Sequence, residues 1–304
     1  METQVTENVG SPNLNTVAPR AIDGIYRSPE LHWVGDGFRV AGYFNVIPDA
    51  VRKLDPFLLL DYHPPYDYAP SEQPRGVGVH PHRGFETVTL AFDGSVSHHD
   101  SAGGGGTIGT GDVQWMTAAG GVLHKEYHSP EFAKNGGRFH MAQLWVNLPR
   151  AHKMDSPRYQ PLLASDMGQV KQPGVDVRVV AGEFAGVKGP AKTFSPINLY
   201  DVKVSAGATF ELDFAESQTL AVLVMNGEVE VQNAKAVEGD FVLFKREGTH
   251  ATFIAKTDTR LLVLNGEPLK EPVVQYGPFV MNSEAEIRKA FIDFSRGAFG
   301  YLED

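Results

Sequence analysis

Short apolar and alternating segments recur along the whole chain. FETVTLAF (85–92), FHMAQLWVNL (139–148), VDVRVVAG (175–182), LAVLVMNGEVEVQ (220–232), DFVLFK (240–245) and RLLVLNG (260–266) are rich in β-branched and aromatic residues and are bounded by turn residues. This spacing predicts many short strands in an all-β barrel or sandwich. One segment differs. Ser283 and Glu286 form a capping box, and Ile287, Ala290, Phe291 and Phe294 follow at helical spacing. Gly297 stands where a C-cap belongs. A helix near 284–296 is expected there, covering one end or face of a barrel. The stretch 149–173 carries Pro149, Pro157, Pro161 and Pro173 and reads as a linker.

The two β-rich halves resemble each other. "TVTLAFDGSVSH" is answered by "AVLVMNGEVEVQ", and "TGDVQWMTAAGGVLH" by "EGDFVLFKREGTH". Each half thus has a glycine turn after an apolar strand, then a Gly-Asp turn, a strand and a histidine. Two copies of one jelly-roll unit account for this pattern. The expected division is a mobile tail over 1–22, a first barrel over 23–155 and a second over 156–304.

Composition narrows the chemistry. The 304 residues carry a formal net charge of −10, and no local basic run stands out. A protein that binds nucleic-acid phosphates is therefore not expected. The chain has no cysteine, which excludes thiol nucleophiles, thiolate metal sites and disulfides and is compatible with a cytoplasmic location. The first twenty residues lack an apolar core of the signal-peptide kind. Runs such as FLLL (57–60) are far too short to span a bilayer.

The candidate chemistry lies in "GVHPHRGFETV" (78–88). On a strand His80 and His82 project to the same face. Pro81 removes a ladder donor, so the strand belongs at a sheet edge, or the pair lies at its start. Eleven histidines in 304 residues give roughly 0.4 such pairs by chance, so the pair needs support. "GGVLHKEYH" supplies it, because His124, Glu126 and His128 alternate in the same way. Between the two lies the glycine-rich run "HHDSAGGGGTIGTGDVQW", and an antiparallel return would set the two clusters side by side. Three imidazoles and a carboxylate suit a first-row transition metal: iron(II), nickel, copper, manganese or zinc. At this level the carboxylate is open, since Glu86 shares the parity of His80 and His82 along a continuous strand.

"DPFLLLDYHPP" (55–65), "HPHRGFETVTL" (80–90), "GDVQWMTAAGGVLHKE" (111–126) and "GEPLKEPVVQYGPFVMNS" (266–283) carry a family resemblance. From about residue 36 to 300 the chain resembles the pirin family, a branch of the two-domain cupins. The fold this implies is a bicupin, two jelly-roll barrels with a C-terminal helix. General cupins use the glutamate after H-x-H, here Glu86. Pirins use the H-x-E of the second motif instead, which implies His80, His82, His124 and Glu126 as ligands. Glu86 would then stand near the metal without binding it. Arg83, Trp115, Met116 and His128 are further candidates for the surroundings or the pocket. His98 and His99, adjacent in sequence, face opposite ways on a strand and are expected to be exposed or bonded to Asp100.

Setting Gly227 against Gly94 places Asp213 and Ala215 where His80 and His82 stand, and Thr252 where Glu126 stands. One metal per chain is therefore expected, in the first barrel. Resemblance to bacterial pirins implies quercetin 2,3-dioxygenase activity. Iron(II) is the first choice of metal, O2 the co-substrate and a flavonol the aromatic substrate. Glu126 would be the catalytic base. The alternative is a metal- and redox-responsive regulatory protein that acts through a protein partner.

Overall fold

A computed structural model describes residues 18–304. The expected all-β bicupin is present. Each half is a sandwich of one seven-stranded and one four-stranded antiparallel sheet. In the first half the large sheet is built around Phe85–Asp93, flanked by Val113–Thr117 and Gly137–Asn147. In the second it is built around Thr219–Asn226, flanked by Phe241–Phe244 and Thr259–Gly266. Both central strands end in a left-handed glycine, Gly94 at φ 83° and Gly227 at φ 86°. That is the turn which the repeated "F-D-G" and "M-N-G" sequences signal.

The two large sheets face each other. Alternation sends Val88, Leu90, Trp115 and Leu144 of the first, with Leu199, Ala221, Leu223 and Leu262 of the second, into one shared apolar core. The opposite faces close over the two barrel interiors. The second interior is filled by Phe210, Leu212, Val229, Val231, Phe253 and their neighbours.

The ends of the chain exchange partners. Ile22–Tyr26 pairs with Phe241–Phe244, so a segment from the start of the chain completes the second large sheet. Arg20 is fully buried and donates to the carbonyls of Gly248, Gln218 and Ala215. The expected tail over 1–22 is thus anchored from Arg20 on, and residues 1–17 lie outside the described residues. The expected linker also needs correction. Arg158–Leu162 is an edge strand of the first large sheet, paired with Val113–Thr117. Pro157 and Pro161 fit because an edge strand tolerates lost N–H donors.

The helix runs Glu284–Ser295. The Ser283 hydroxyl accepts from the Glu286 backbone N–H, while a Glu286 carboxylate oxygen accepts from Asn282 N–H at 3.0 Å. The helix packs on the strand Phe279–Met281, beside the strands of the first barrel that carry the histidines. No helix among the described residues is long and apolar enough to cross a membrane.

Candidate metal centre

His80 and His82 lie on Gly76–His82, the edge strand of the first four-stranded sheet. Pro81 is compatible with that edge. Its antiparallel neighbour is Val122–His128, with His124 directly opposite His80. A bulge follows, so that Glu126 stands opposite Val77 rather than Gly78. On its other side Val122–His128 pairs with Val96–Asp100, which sets His98 opposite Glu126 and Asp100 opposite His124.

The imidazoles of His80, His82 and His124 converge, with ring centroids 4.2 to 4.8 Å apart. Their candidate ligand atoms lie within 4.8 Å of one another. The outer nitrogens are already engaged. Nδ1 of His80 meets the Gly78 carbonyl at 2.8 Å and Nδ1 of His82 meets that of Pro278 at 3.4 Å. Carbonyls only accept, so each Nδ1 carries a hydrogen and Nε2 is the nitrogen left for a metal. His124 Nε2 is buried with no hydrogen-bond partner. Burial first, then the neighbouring imidazoles, pushes His82 and His124 well below the ordinary 6.5, so both are neutral. A neutral imidazole with an unpartnered Nε2, as at His124, is what a transition metal requires.

Glu126 is 4% exposed and held on both oxygens. Thr89 Oγ1 donates to Oε1 at 3.1 Å, as does the Gln114 amide. The Gln143 amide donates to Oε2 at 2.8 Å. The Trp145 indole N–H in turn donates to Gln143 Oε1 at 3.2 Å, and its ring stands 5.1 Å from that of His82. Thr89, Gln114 and Gln143 were not singled out from the sequence. The signal was present in their inward parity within otherwise apolar strands.

Glu86 does not belong with the candidate ligands. The chain leaves the small sheet at Arg83–Gly84. Gly84 has φ 91°, and a Cβ there would lie 1.9 Å from the Val280 carbonyl oxygen. Beyond this turn Phe85–Asp93 belongs to the large sheet, and alternation restarts. Thr89 faces Glu126, whereas Glu86 shares the face of Val88 and Leu90, in the layer between the large sheets. There Glu86 accepts from Thr117 Oγ1 at 2.6 Å, with Arg158 at 4.0 Å. Burial pushes its carboxyl up to about 7, against the opposing pull of Thr117, Trp115 and Arg158.

Trp115 lies on that same outward layer, opposite Val88, and does not line the centre. Met116 faces inward, beside Ala118, Val122 and Tyr159. His128 is buried in a ring of Phe38, Tyr68, Phe132 and Phe139, with Nε2 on the Gly37 carbonyl at 2.9 Å. Burial lowers it to about 4. Arg83 holds the turn itself. It donates to the Gly120 carbonyl at 2.8 Å and to Asp293 of the helix at 2.9 Å.

His99 is exposed and His98 meets Asp100 at 3.3 Å, as expected; His98 is also fully buried, close to His124 and Glu126. In the second barrel Asp213 and His250 do pair across the equivalent strands, 2.8 Å apart. They occupy the outer face, however, while Leu212 and Ala251 point inward. The repeat alignment is thus one residue out of face. Two clefts between the sandwiches, about 580 and 410 Å³, share Asp93, Lys203 and Arg260 and are lined by none of the residues of the centre.

Known proteins agree with this architecture. The pirin family model matches residues 37–146, and the model of the pirin C-terminal cupin domain matches 199–300. The chain is 49% identical over 278 residues to a Pseudomonas aeruginosa protein whose name assigns quercetin 2,3-dioxygenase activity provisionally. The match covers 91% of this chain and 97% of that one. A crystal structure of quercetin 2,3-dioxygenase from Acinetobacter baumannii is similar at 48% identity with a TM-score of 0.89, covering 94% of this chain and all of that one. The bacterial pirin of Escherichia coli, solved with nickel(II), shares the fold at 21% identity and a TM-score of 0.61. That match covers 81% of this chain and 100% of the other. The chain belongs to the pirin family.

Proposed function

We propose that this protein is a metal-dependent flavonol 2,3-dioxygenase whose metal is held by His80, His82, His124 and Glu126. The observation that carries the reading is the convergence of the His80, His82 and His124 imidazoles, with His124 also grouped with the amide-held carboxylate of Glu126. The donor set holds nitrogen and oxygen and no sulfur, which suits a divalent metal such as iron(II), with nickel, copper, manganese and zinc also accommodated. Such a metal supplies Lewis acidity and a meeting point for substrate and O2.

The chain's own residues do the remaining work. Glu126 takes the proton of the flavonol 3-hydroxyl. Its Oε1 is occupied by Thr89 and Gln114, while Oε2 has a single donor, Gln143, and one acceptor position left, which a metal and the proton would use in turn. The proton returns to the carboxylate product. In the net reaction the central ring loses its C3 as carbon monoxide, and both atoms of O2 enter the ester and carboxylate formed. Trp145, partly exposed beside His82, offers an aromatic wall to the flavonol rings. The relatives named for this activity supply the substrate class.

The test is aerobic turnover of quercetin by apoprotein reconstituted with one metal at a time, following substrate absorbance and carbon monoxide release. His82→Ala and Glu126→Ala should each abolish turnover. A protein inert with every metal, or variants as active as the wild type, would sink the dioxygenase reading. A regulatory role through a protein partner needs the same ligands, so turnover is the measurement that separates the two.

A further inference from the structure

Two of the three converging histidines rest their outer nitrogen on a backbone carbonyl, and the third does not. His124 Nδ1 lies 3.3 Å from His98 Nδ1, and His98 Nε2 lies 3.3 Å from Asp100 Oδ2. His98 and His124 are fully buried and Asp100 is nearly so. The other Asp100 oxygen accepts from the backbone N–H groups of Ala102 at 2.9 Å and Gly104 at 2.8 Å.

His124 Nε2 is buried without a hydrogen-bond partner, so a hydrogen there would have no acceptor. His124 therefore carries its hydrogen on Nδ1 and donates it to His98 Nδ1. A carboxylate only accepts, so His98 Nε2 carries the hydrogen that meets Asp100. We infer that Asp100 and His98 form a relay that fixes His124 with its Nε2 lone pair toward the metal, making His98 a positioning residue and not a ligand. The inference rests on the metal-site reading above and adds the device that orients one ligand.

Two further features hold the relay. The Tyr159 ring stacks on His98 with centroids 5.0 Å apart and planes at 15°. Tyr159 comes from the Arg158–Leu162 edge strand, so that strand has a second task besides closing the sheet. Gly104 makes room. A Cβ there would lie 2.3 Å from Asp100 Oδ2 and 2.8 Å from Tyr159 Cβ. At least one glycine of the run 103–106 is therefore required by the packing of the relay. An outer partner of this kind sets the tautomer and raises the basicity of a ligating imidazole.

The test measures nickel(II) affinity of the apoprotein by chelator competition in wild type, His98→Phe, His98→Gln, Gly104→Ala and, as control, His82→Ala. His98→Phe removes the acceptor and should weaken nickel binding about 10–100-fold. Gly104→Ala keeps both rings, displaces Asp100, and should weaken binding in the same direction. His98→Gln can present its oxygen to His124 and its amide to Asp100, and should restore most of the affinity. In zinc-loaded protein labelled with 15N-histidine, the His124 Nδ1–H signal should be present in wild type and His98→Gln. Unchanged affinity in His98→Phe and Gly104→Ala, with His82→Ala impaired, overturns the relay and leaves the metal site standing. Unchanged affinity in His82→Ala as well removes the site itself. X-ray absorption showing one imidazole fewer around nickel in His98→Phe would make His98 a ligand and overturn the inference. Should His98→Phe not fold, Gly104→Ala and His98→Gln decide; a His98→Gln as weak as His82→Ala overturns it.

Discussion

Glu86→Gln tests the placement of the glutamate that the sequence makes most conspicuous. Glu86 is buried between the large sheets, and its carboxyl is raised from 4.5 to about 7. The unfolded chain releases this proton near 4.5, while the folded chain holds it to about 7. Between those values the folded state binds more protons, so stability falls as pH rises, and above 7 the loss is complete. The displacement corresponds to ~3 kcal/mol between the two ends of the window. Glutamine has no proton to lose, so the variant does not share this decline. The Thr117 hydroxyl, 2.6 Å from Oε1, can donate to the glutamine oxygen as well. The new amide hydrogens find no assured acceptor and cost about 1–3 kcal/mol, but that penalty does not depend on pH.

The readout is therefore a slope and not an offset. Urea unfolding of metal-free wild type and Glu86→Gln is compared at pH 5, 6, 7 and 8. The difference in unfolding free energy should move by ~3 kcal/mol in favour of the variant from pH 5 to pH 8. A difference that stays constant within about 0.5 kcal/mol would refute the buried, protonated carboxyl. Nickel affinity should be the same in both proteins. A loss of nickel binding in Glu86→Gln would put this residue back at the metal and refute its assignment to the other face.

Other consequences follow from the same geometry. Lys153 is buried and donates to the carbonyls of Gly84 and Val280 and to Asn147 Oδ1, at 2.7, 3.0 and 2.6 Å. Lys153→Met strands these acceptors and should lower unfolding stability by about 3 kcal/mol or more in a urea titration. Arg83→Met breaks the bonds to Gly120 and Asp293 and should cost about 2 kcal/mol, with faster amide exchange in the helix Glu284–Ser295. His250→Ala changes only the outer face of the second barrel and should leave the metal content per chain unaltered by elemental analysis. Trp145→Phe removes the indole donor to Gln143 and should raise KM for quercetin several-fold with a smaller change in kcat.

The candidate metal centre was legible in part, and its two errors of face share one cause. Period-two alternation is sound within one strand and fails across a break in it. His80 and His82 were readable because a single strand carries both, and His124 and Glu126 likewise. Glu86 was misjudged because the same count was continued through Arg83 and Gly84, where the chain changes sheets. The second barrel shows the smaller version of this error. Gly94 and Gly227 align correctly, yet the strand Thr209–Asp213 presents Leu212 and not Asp213 to the interior. For His98 the expected bond to Asp100 is present, but its place beside His124 was not read from two adjacent histidines. The same alternation that sends His99 to solvent sends His98 inward, and its cross-strand neighbour Glu126 lies far off in sequence.

The exchanged ends were hidden for another reason. Nothing local distinguishes Ile22–Tyr26 or Arg158–Leu162 from linker, since edge strands gain their structure from a partner elsewhere. Both strands close equivalent edges of the two large sheets, so the repeat is completed by segments lying outside the repeated sequence. For the first barrel that segment brings Tyr159 onto His98, and with it a support for His124. The edge a sequence comparison would leave blank is thus the one that steadies the candidate ligand, and a Tyr159→Ala variant should weaken nickel binding with His80, His82, His124 and Glu126 all intact.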